Sequence, residues 1–311
     1  MNTAGRIGLF GAALAATFTA AYTLGAAAEP LTDRTGTVQH GTHTETTAAP
    51  STADLPGGLQ VSQDGFTLDL QTNRLTAGQE APLRFAIKDD SGKAVTDYTR
   101  AHDKELHLIV ASRDLNTFRH LHPTRAADGT WSTPVNLPAA GDYRVFADFT
   151  PAKKGATALT LGTDLAVSGT YQPRELPAQK ATAEIDGYTV TLDGKLTTGK
   201  MSDLTLNVTK DGKPVTDLDS YLGAYGHLVA LRAGDLAYLH VHPEGEPGDG
   251  ATKPGPAISF MATAPTDGAY RLFLDFKHQG TVRTAAFTVH ATPAMAGTDT
   301  PSAHTDHGEG H

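Results

Sequence analysis

Most of this chain is one sequence written twice, and that duplication limits the fold more than any other feature. Gly65-Phe66-Thr67 returns as Gly187-Tyr188-Thr189, and Gly92-Lys93-Ala94-Val95-Thr96-Asp97 returns as Gly212-Lys213-Pro214-Val215-Thr216-Asp217. Farther on, Gly141-Asp-Tyr-Arg-Val-Phe-Ala-Asp-Phe149 matches Gly268-Ala-Tyr-Arg-Leu-Phe-Leu-Asp-Phe276. Each unit spans about 105 residues, the size of a domain rather than of a solenoid repeat. Two domains are therefore expected, 61–170 and 183–291, joined by a Pro-containing segment over 171–182.

Within a unit the apolar residues alternate over short runs bounded by Gly, Pro, Asp and Asn, which is the pattern of strands. The first unit predicts seven: Phe66–Gln71, Leu83–Lys88, Leu106–Ala111, Thr117–His122, Thr130–Val135, Asp142–Phe149 and Ala158–Val167. No segment has a helical period. The expected fold class is all-β, with two tandem immunoglobulin-like or cupredoxin-like sandwiches. Tyr143 and Tyr270 open the sixth strand of each unit, where such folds carry a tyrosine corner, a structural role.

Outside the repeats, Arg6 precedes an Ala/Gly/Thr-rich apolar stretch, Ile7 to Leu24, and then Ala26-Ala27-Ala28. Residues 1–28 thus read as a secretory signal with a small-residue cleavage site, or as an uncleaved membrane anchor. Either way the remainder is expected outside the cytoplasm, touching a membrane only through that segment. Residues 29–60 and 292–311 are poor in large apolar side chains and read as disordered. A net charge of −9 spread along the chain argues against nucleic acid as a partner. With no cysteine, disulfides and thiolate metal sites are excluded, and only four methionines leave little for cuprous copper.

One polar pattern survives the duplication. His107, His120 and His122 correspond to His227, His240 and His242, and in both copies the later pair follows the first histidine by 13 and 15 positions. If Leu106–Ala111 and Thr117–His122 form a hairpin turning at Asp114-Leu115-Asn116, His120 and His122 share a face. With His107 opposite His122, His120 becomes its diagonal neighbour, and three imidazoles reach a common point. A slip of one residue would turn His107 away. The sixth strand should lie beside the third, bringing Asp148 and Asp275 to the same face, as a fourth ligand or to orient a histidine. A surface ion pair would explain those two aspartates equally well. His102 is a weaker ligand candidate, because Leu222 takes its place in the second unit. His278 has Pro151 as its counterpart, His290 has no partner that the sequence identifies, and His40, His43, His304, His307 and His311 belong to the tails.

No cysteine nucleophile, Ser/His/Asp order or repeated glutamate supports an enzyme. Glu244 follows the second His-x-His as a cupin requires, but Thr124-Arg125 follows the first. The runs Leu106-His-Leu-Ile-Val, Phe118-Arg-His-Leu-His-Pro123, Tyr221-Leu-Gly-Ala-Tyr-Gly-His-Leu-Val-Ala-Leu231 and Tyr238-Leu-His-Val-His-Pro243 resemble a family of exported or membrane-anchored proteins of high-GC Gram-positive bacteria described as heavy-metal-binding. The resemblance covers residues 60 to 290 and implies an all-β, duplicated, extracytoplasmic metal-binding protein. It carries no activity.

The expectation is therefore an extracytoplasmic protein with one three-histidine site per repeat, buffering or handing on Cu(II) first and Zn(II) second. Nitrogen ligands without sulfur suit both ions. Binding should fail as imidazole protonates, around pH 6–7. The rival expectation is a cell-envelope scaffold or adhesive protein without a metal role, in which outward Phe146 and Phe273 help contact another envelope protein. A metal-assisted hydrolase or oxygenase lacks an identifiable general acid or base.

Overall fold

The computed structural model describes residues 55–239 and 241–293. The expected signal or anchor and most of both tails lie outside the described residues. Regular structure in the described part is entirely β. The first repeat has seven main strands: β1 (Phe66–Leu70), β2 (Glu80–Lys88), β3 (Leu106–Ser112), β4 (Phe118–Leu121), β5 (Thr130–Asn136), β6 (Gly141–Pro151) and β7 (Leu159–Ser168). The second repeats them as β8 (Tyr188–Asp193), β9 (Met201–Lys210), β10 (Gly226–Arg232), β11 (Tyr238–Leu239), β12 (Ala257–Thr263), β13 (Gly268–His278) and β14 (Thr281–Ala291).

In each repeat these strands form an immunoglobulin-like sandwich. One sheet of the first orders β1-β2-β5, and the other β7-β6-β3-β4. The second repeat gives β8-β9-β12 and β11-β10-β13-β14. The seven predicted strands are all present. Missing from the sequence reading were short pieces such as Arg74–Thr76, which pairs parallel with β7 and is too brief to alternate. Alternation fills each interior: Leu83, Phe85 and Ile87 of β2 meet Leu108 and Val110 of β3 and Val145 of β6. Both tyrosine corners form, Tyr143 donating to the carbonyl of Ala139 and Tyr270 to that of Thr266, each at 2.8 Å.

Every residue of β3 is buried. A sheet with one wetted face would expose alternate residues, so β3 is covered on both sides. Its second face meets the other sandwich. Ile109, Ala111, Phe118 and Phe146 pack with Val229, Leu231, Leu236 and Phe273 in a cluster of its own. Phe118 and Phe273 stack with centroids 4.0 Å apart and planes 7° from parallel. The equivalent pair, Tyr238 and Phe146, lies at 5.9 Å. Here the structure corrects the sequence reading. Phe146 and Phe273 do point away from their own cores, but at 0% and 3% exposure they are spent between the repeats and offer no surface to another protein. Each such side chain removed from water contributes roughly 1.5–3 kcal/mol, so the repeats are fused rather than strung together.

Candidate metal centre

The first trio of histidines stands where that fused face meets the end of the β3–β4 hairpin. Leu108 pairs with Leu121, Ile109 with His120, Val110 with Arg119 and Ala111 with Phe118. Carried one step further, this register sets His107 across from His122 and His120 on the diagonal, with Leu108, Val110 and Leu121 turned into the core. Pro123, with no N–H to give, follows β4, and the chain crosses to pair Thr124–Arg125 with β5 in the opposite sheet. His120 and His122 therefore sit at a strand end, with their rings close together. The centroids are 5.4 Å (His107–His120), 5.2 Å (His107–His122) and 4.8 Å (His120–His122) apart. One nitrogen from each ring lies within 4.8 Å of the other two.

What the rings do with their remaining nitrogens matters more than their proximity. His107 Nε2 is 3.1 Å from the carbonyl of Ala101, which can only accept, so the proton sits on Nε2 and Nδ1 is a bare lone pair. His120 Nδ1 is 2.7 Å from the carboxylate of Asp275, which puts the proton on Nδ1 and the lone pair on Nε2. Those two lone pairs face one another at 3.2 Å. Between neutral rings this contact contains no proton and is repulsive. It becomes favourable only with a cation between them or with one ring protonated. His122 Nε2 is also buried, and among the described residues it has no hydrogen-bond partner. His107 Nδ1 is thus an acceptor, and His120 Nε2 either gives it a proton or shares a cation with it.

Such a set fits an ion. A tetrahedral ion 2.0–2.1 Å from each nitrogen separates its ligand atoms by roughly 3.3 Å, close to the 3.2 Å between His107 and His120, and the ligand atom of His122 lies within 4.8 Å of both. Histidine ligands as a rule donate their other N–H to a carboxylate or a carbonyl, as His120 and His107 do. Two carboxylates, Asp148 and Asp275, lie close by to balance a divalent charge. Asp148 is the ladder partner of His107 on β6 and accepts from Thr160 at 3.3 Å. Asp275 is the ladder partner of His227 and is held by Thr284 at 2.5 Å. The sequence left Asp275 between ligand and orienting group. The structure makes it orient a histidine, and that histidine belongs to the other repeat.

His227 shares the same chamber. Its ring centroid is 6.3 Å from His107 and 6.2 Å from His120. Its Nε2 donates to the carbonyl of Tyr221 at 2.8 Å, repeating the tie of His107 to Ala101. His102 lies at the exposed mouth, 5.3 Å from His227, with its φ of 50° in the left-handed region. These groups line a cavity of about 140 Å³. The backbone of His242 pairs opposite Met261 of β12; its side chain and the whole of His240 lie outside the described residues. One site per sandwich was expected; of the second trio only His227 has a described side chain, and it lies beside the first trio.

Enclosure sets the protonation of these rings. Burial first, and the neighbouring His120 second, bring His107 down to about 3, and the same two causes bring His122 down to about 3. His227 falls to about 4, burial outweighing its bond to Tyr221. Burial pushes Asp148 up to about 6 against the opposing bond from Thr160. His107, His122 and His227 are thereby kept neutral, the form in which imidazole binds metal.

The remaining described histidines are elsewhere. His278 joins Tyr188 at 2.7 Å to Asp217 at 3.1 Å, a buried structural tie, and His290 ladders with Ala269. The carbonyls of Ala101 and Tyr221 could not have been found from the sequence, because any residue supplies a carbonyl.

The chain belongs to a family described as a domain of unknown function (DUF8832), whose model matches it twice, over residues 60–163 and 183–293. That description assigns the family no metal. No curated protein matches the chain. Among solved structures it is similar to the Escherichia coli adhesin FdeC, at 16% identity over 75% of this chain and 65% of that one, with a TM-score of 0.23. It is also similar to Yersinia pseudotuberculosis InvD, at 14% identity over 75% and 59%, with a TM-score of 0.24, and to the D00-D0 domain of intimin, at 11% identity over 73% and 99%, with a TM-score of 0.22. The chain spans less than two thirds of the length of the first two. No ligand or partner follows from likenesses of this size.

Proposed function

We propose that this protein is an extracytoplasmic metal-binding protein whose ion is held between its two sandwiches by His107, His120 and His122. Cu(II) is the first candidate and Zn(II) the second, as borderline ions suited to three imidazoles without sulfur. The supporting observation is the convergence of one nitrogen from each of three imidazoles, two of whose rings are tied through the other nitrogen to Ala101 and Asp275. The role that follows is buffering or delivering metal outside the cytoplasm. Calorimetric titration of untagged protein with Cu(II) and Zn(II) tests it. A tight equivalent that disappears in both His120→Ala and His122→Ala is expected. Equal heats and stoichiometry in the wild type and both variants would end the proposal and assign any binding to histidines elsewhere.

A second reading is a cell-envelope scaffold or adhesive protein with no metal role. The apolar seam around Phe118 and Phe273 favours it, because that seam fuses two immunoglobulin-like sandwiches without needing an ion. A binding partner captured equally well with and without chelator, by wild type and by His120→Ala, would support this reading over the first.

A further inference from the structure

The histidine that brings the first repeat's trio together is aimed by the second repeat. His120 and Asp275 are 155 positions apart, and both side chains are nearly sealed from solvent, at 6% and 5% exposure. Thr284 on β14 holds the other carboxylate oxygen. Without Asp275, either His120 nitrogen could carry the proton, and the Nε2 lone pair that faces His107 would not be fixed. Around this bond lies the apolar seam, where Leu236 of the second repeat is fully buried. Separating the sandwiches would therefore remove the second repeat's carboxylate from a ligand of the first.

We infer that Asp275 is a positioning residue acting across the interface, so that ion binding and docking of the two sandwiches form one linked equilibrium. The inference rests on the metal-binding reading and adds what that reading lacks: the ion fastens two domains. Linkage is reciprocal, so whatever loosens docking weakens the ion, and the ion resists undocking by the same factor. Loss of such an outer partner typically lowers metal affinity 10–100-fold.

The test is Cu(II) titration of the full chain carrying Asp275→Leu, Asp275→Asn, His120→Ala and the double variant His120→Ala/Asp275→Leu. Asp275→Leu is expected to weaken binding 10–100-fold, while Asp275→Asn, which still accepts from Nδ1, loses less. In the double variant the second change should add nothing, because its effect runs through His120. Leu236→Ala, in a seam cluster that contains none of the histidines, should also weaken binding, and should reduce the rise in melting temperature that Cu(II) gives. Circular dichroism confirms that each variant is folded; if Asp275→Leu is not, Asp275→Asn and Leu236→Ala decide the matter. Tight wild-type binding lost in His120→Ala but unchanged in the folded Asp275 and Leu236 variants overturns this inference alone. Failure of the wild type to bind overturns the metal-binding reading beneath it.

Discussion

His120, on the first sandwich, donates its Nδ1 proton to Asp275, on the second, across 2.7 Å. A single bond thus crosses the molecule's internal seam, fixes a ring's tautomer, and directs the opposite nitrogen at His107. Beside that seam His107, His122 and His227 are enclosed and held neutral.

His122→Leu should uncouple binding from stability. The substitution removes a buried nitrogen with no partner among the described residues and fills its place with apolar volume. A buried polar atom left without a partner costs about 1–3 kcal/mol. The metal-free variant should melt at or above the wild-type temperature while binding no ion. Scanning calorimetry in chelator checks this, and a drop of several degrees would contradict it.

Acid should destabilise the metal-free protein earlier than carboxylate titration alone explains. His107 and His122 at about 3, and His227 at about 4, stay neutral in the fold, whereas the unfolded chain takes up protons below 6.5. Their contribution is therefore complete above pH 6.5 and is lost as pH falls toward 4 and 3. Asp148, raised to about 6, works in the opposite sense, gaining stability as pH falls from 6 toward 3.8, but it is one group against three. Urea midpoints at pH 7.5, 5.5 and 4.5 should decline steadily.

The same enclosure shifts the pH range of binding. Surface imidazoles lose metal around pH 6–7, the range expected from the sequence. His107 and His122 are already neutral well below that and meet little competition from protons, so ion affinity should fall between pH 7 and 5 less steeply than three unshifted imidazoles require. A loss over that interval as steep as three unshifted imidazoles give, measured with a competing chelator of known affinity, would contradict the account.

Phe273→Ala should destabilise by about 3–5 kcal/mol, the usual cost of emptying a buried aromatic site. Its ring stacks on Phe118 at 4.0 Å, inside the seam. Phe146→Ala should cost a similar amount, since Phe146 occupies the equivalent place against Tyr238. Either variant should turn one denaturation transition into two, as the sandwiches begin to unfold separately. A loss under 1 kcal/mol with a single transition would mean that the seam contributes little.

The sandwiches were legible because alternation and turn residues encode strands locally, and tyrosines at matching places marked the corners. Hairpin register was legible for the same reason: only one phase puts His107, His120 and His122 on one face while Leu108 and Leu121 enter the core. What the seam does was less accessible. Its signal lay in Leu106–Ala111 and Gly226–Leu231, runs more continuously apolar than a strand with one wet face requires, and in Phe146 and Phe273 pointing outward. Nothing local says that an outward phenylalanine of one repeat meets the other repeat rather than a stranger. For the same reason Asp275 could be placed on the correct face of its sheet, but not opposite His120.

X-ray absorption on untagged protein loaded with one equivalent of Zn(II) tests the central claim most directly. The account predicts three imidazole nitrogens at about 2.0–2.1 Å, and the loss of one of them in His120→Ala. A first shell of oxygens, or a wild-type spectrum unchanged by that substitution, would contradict it.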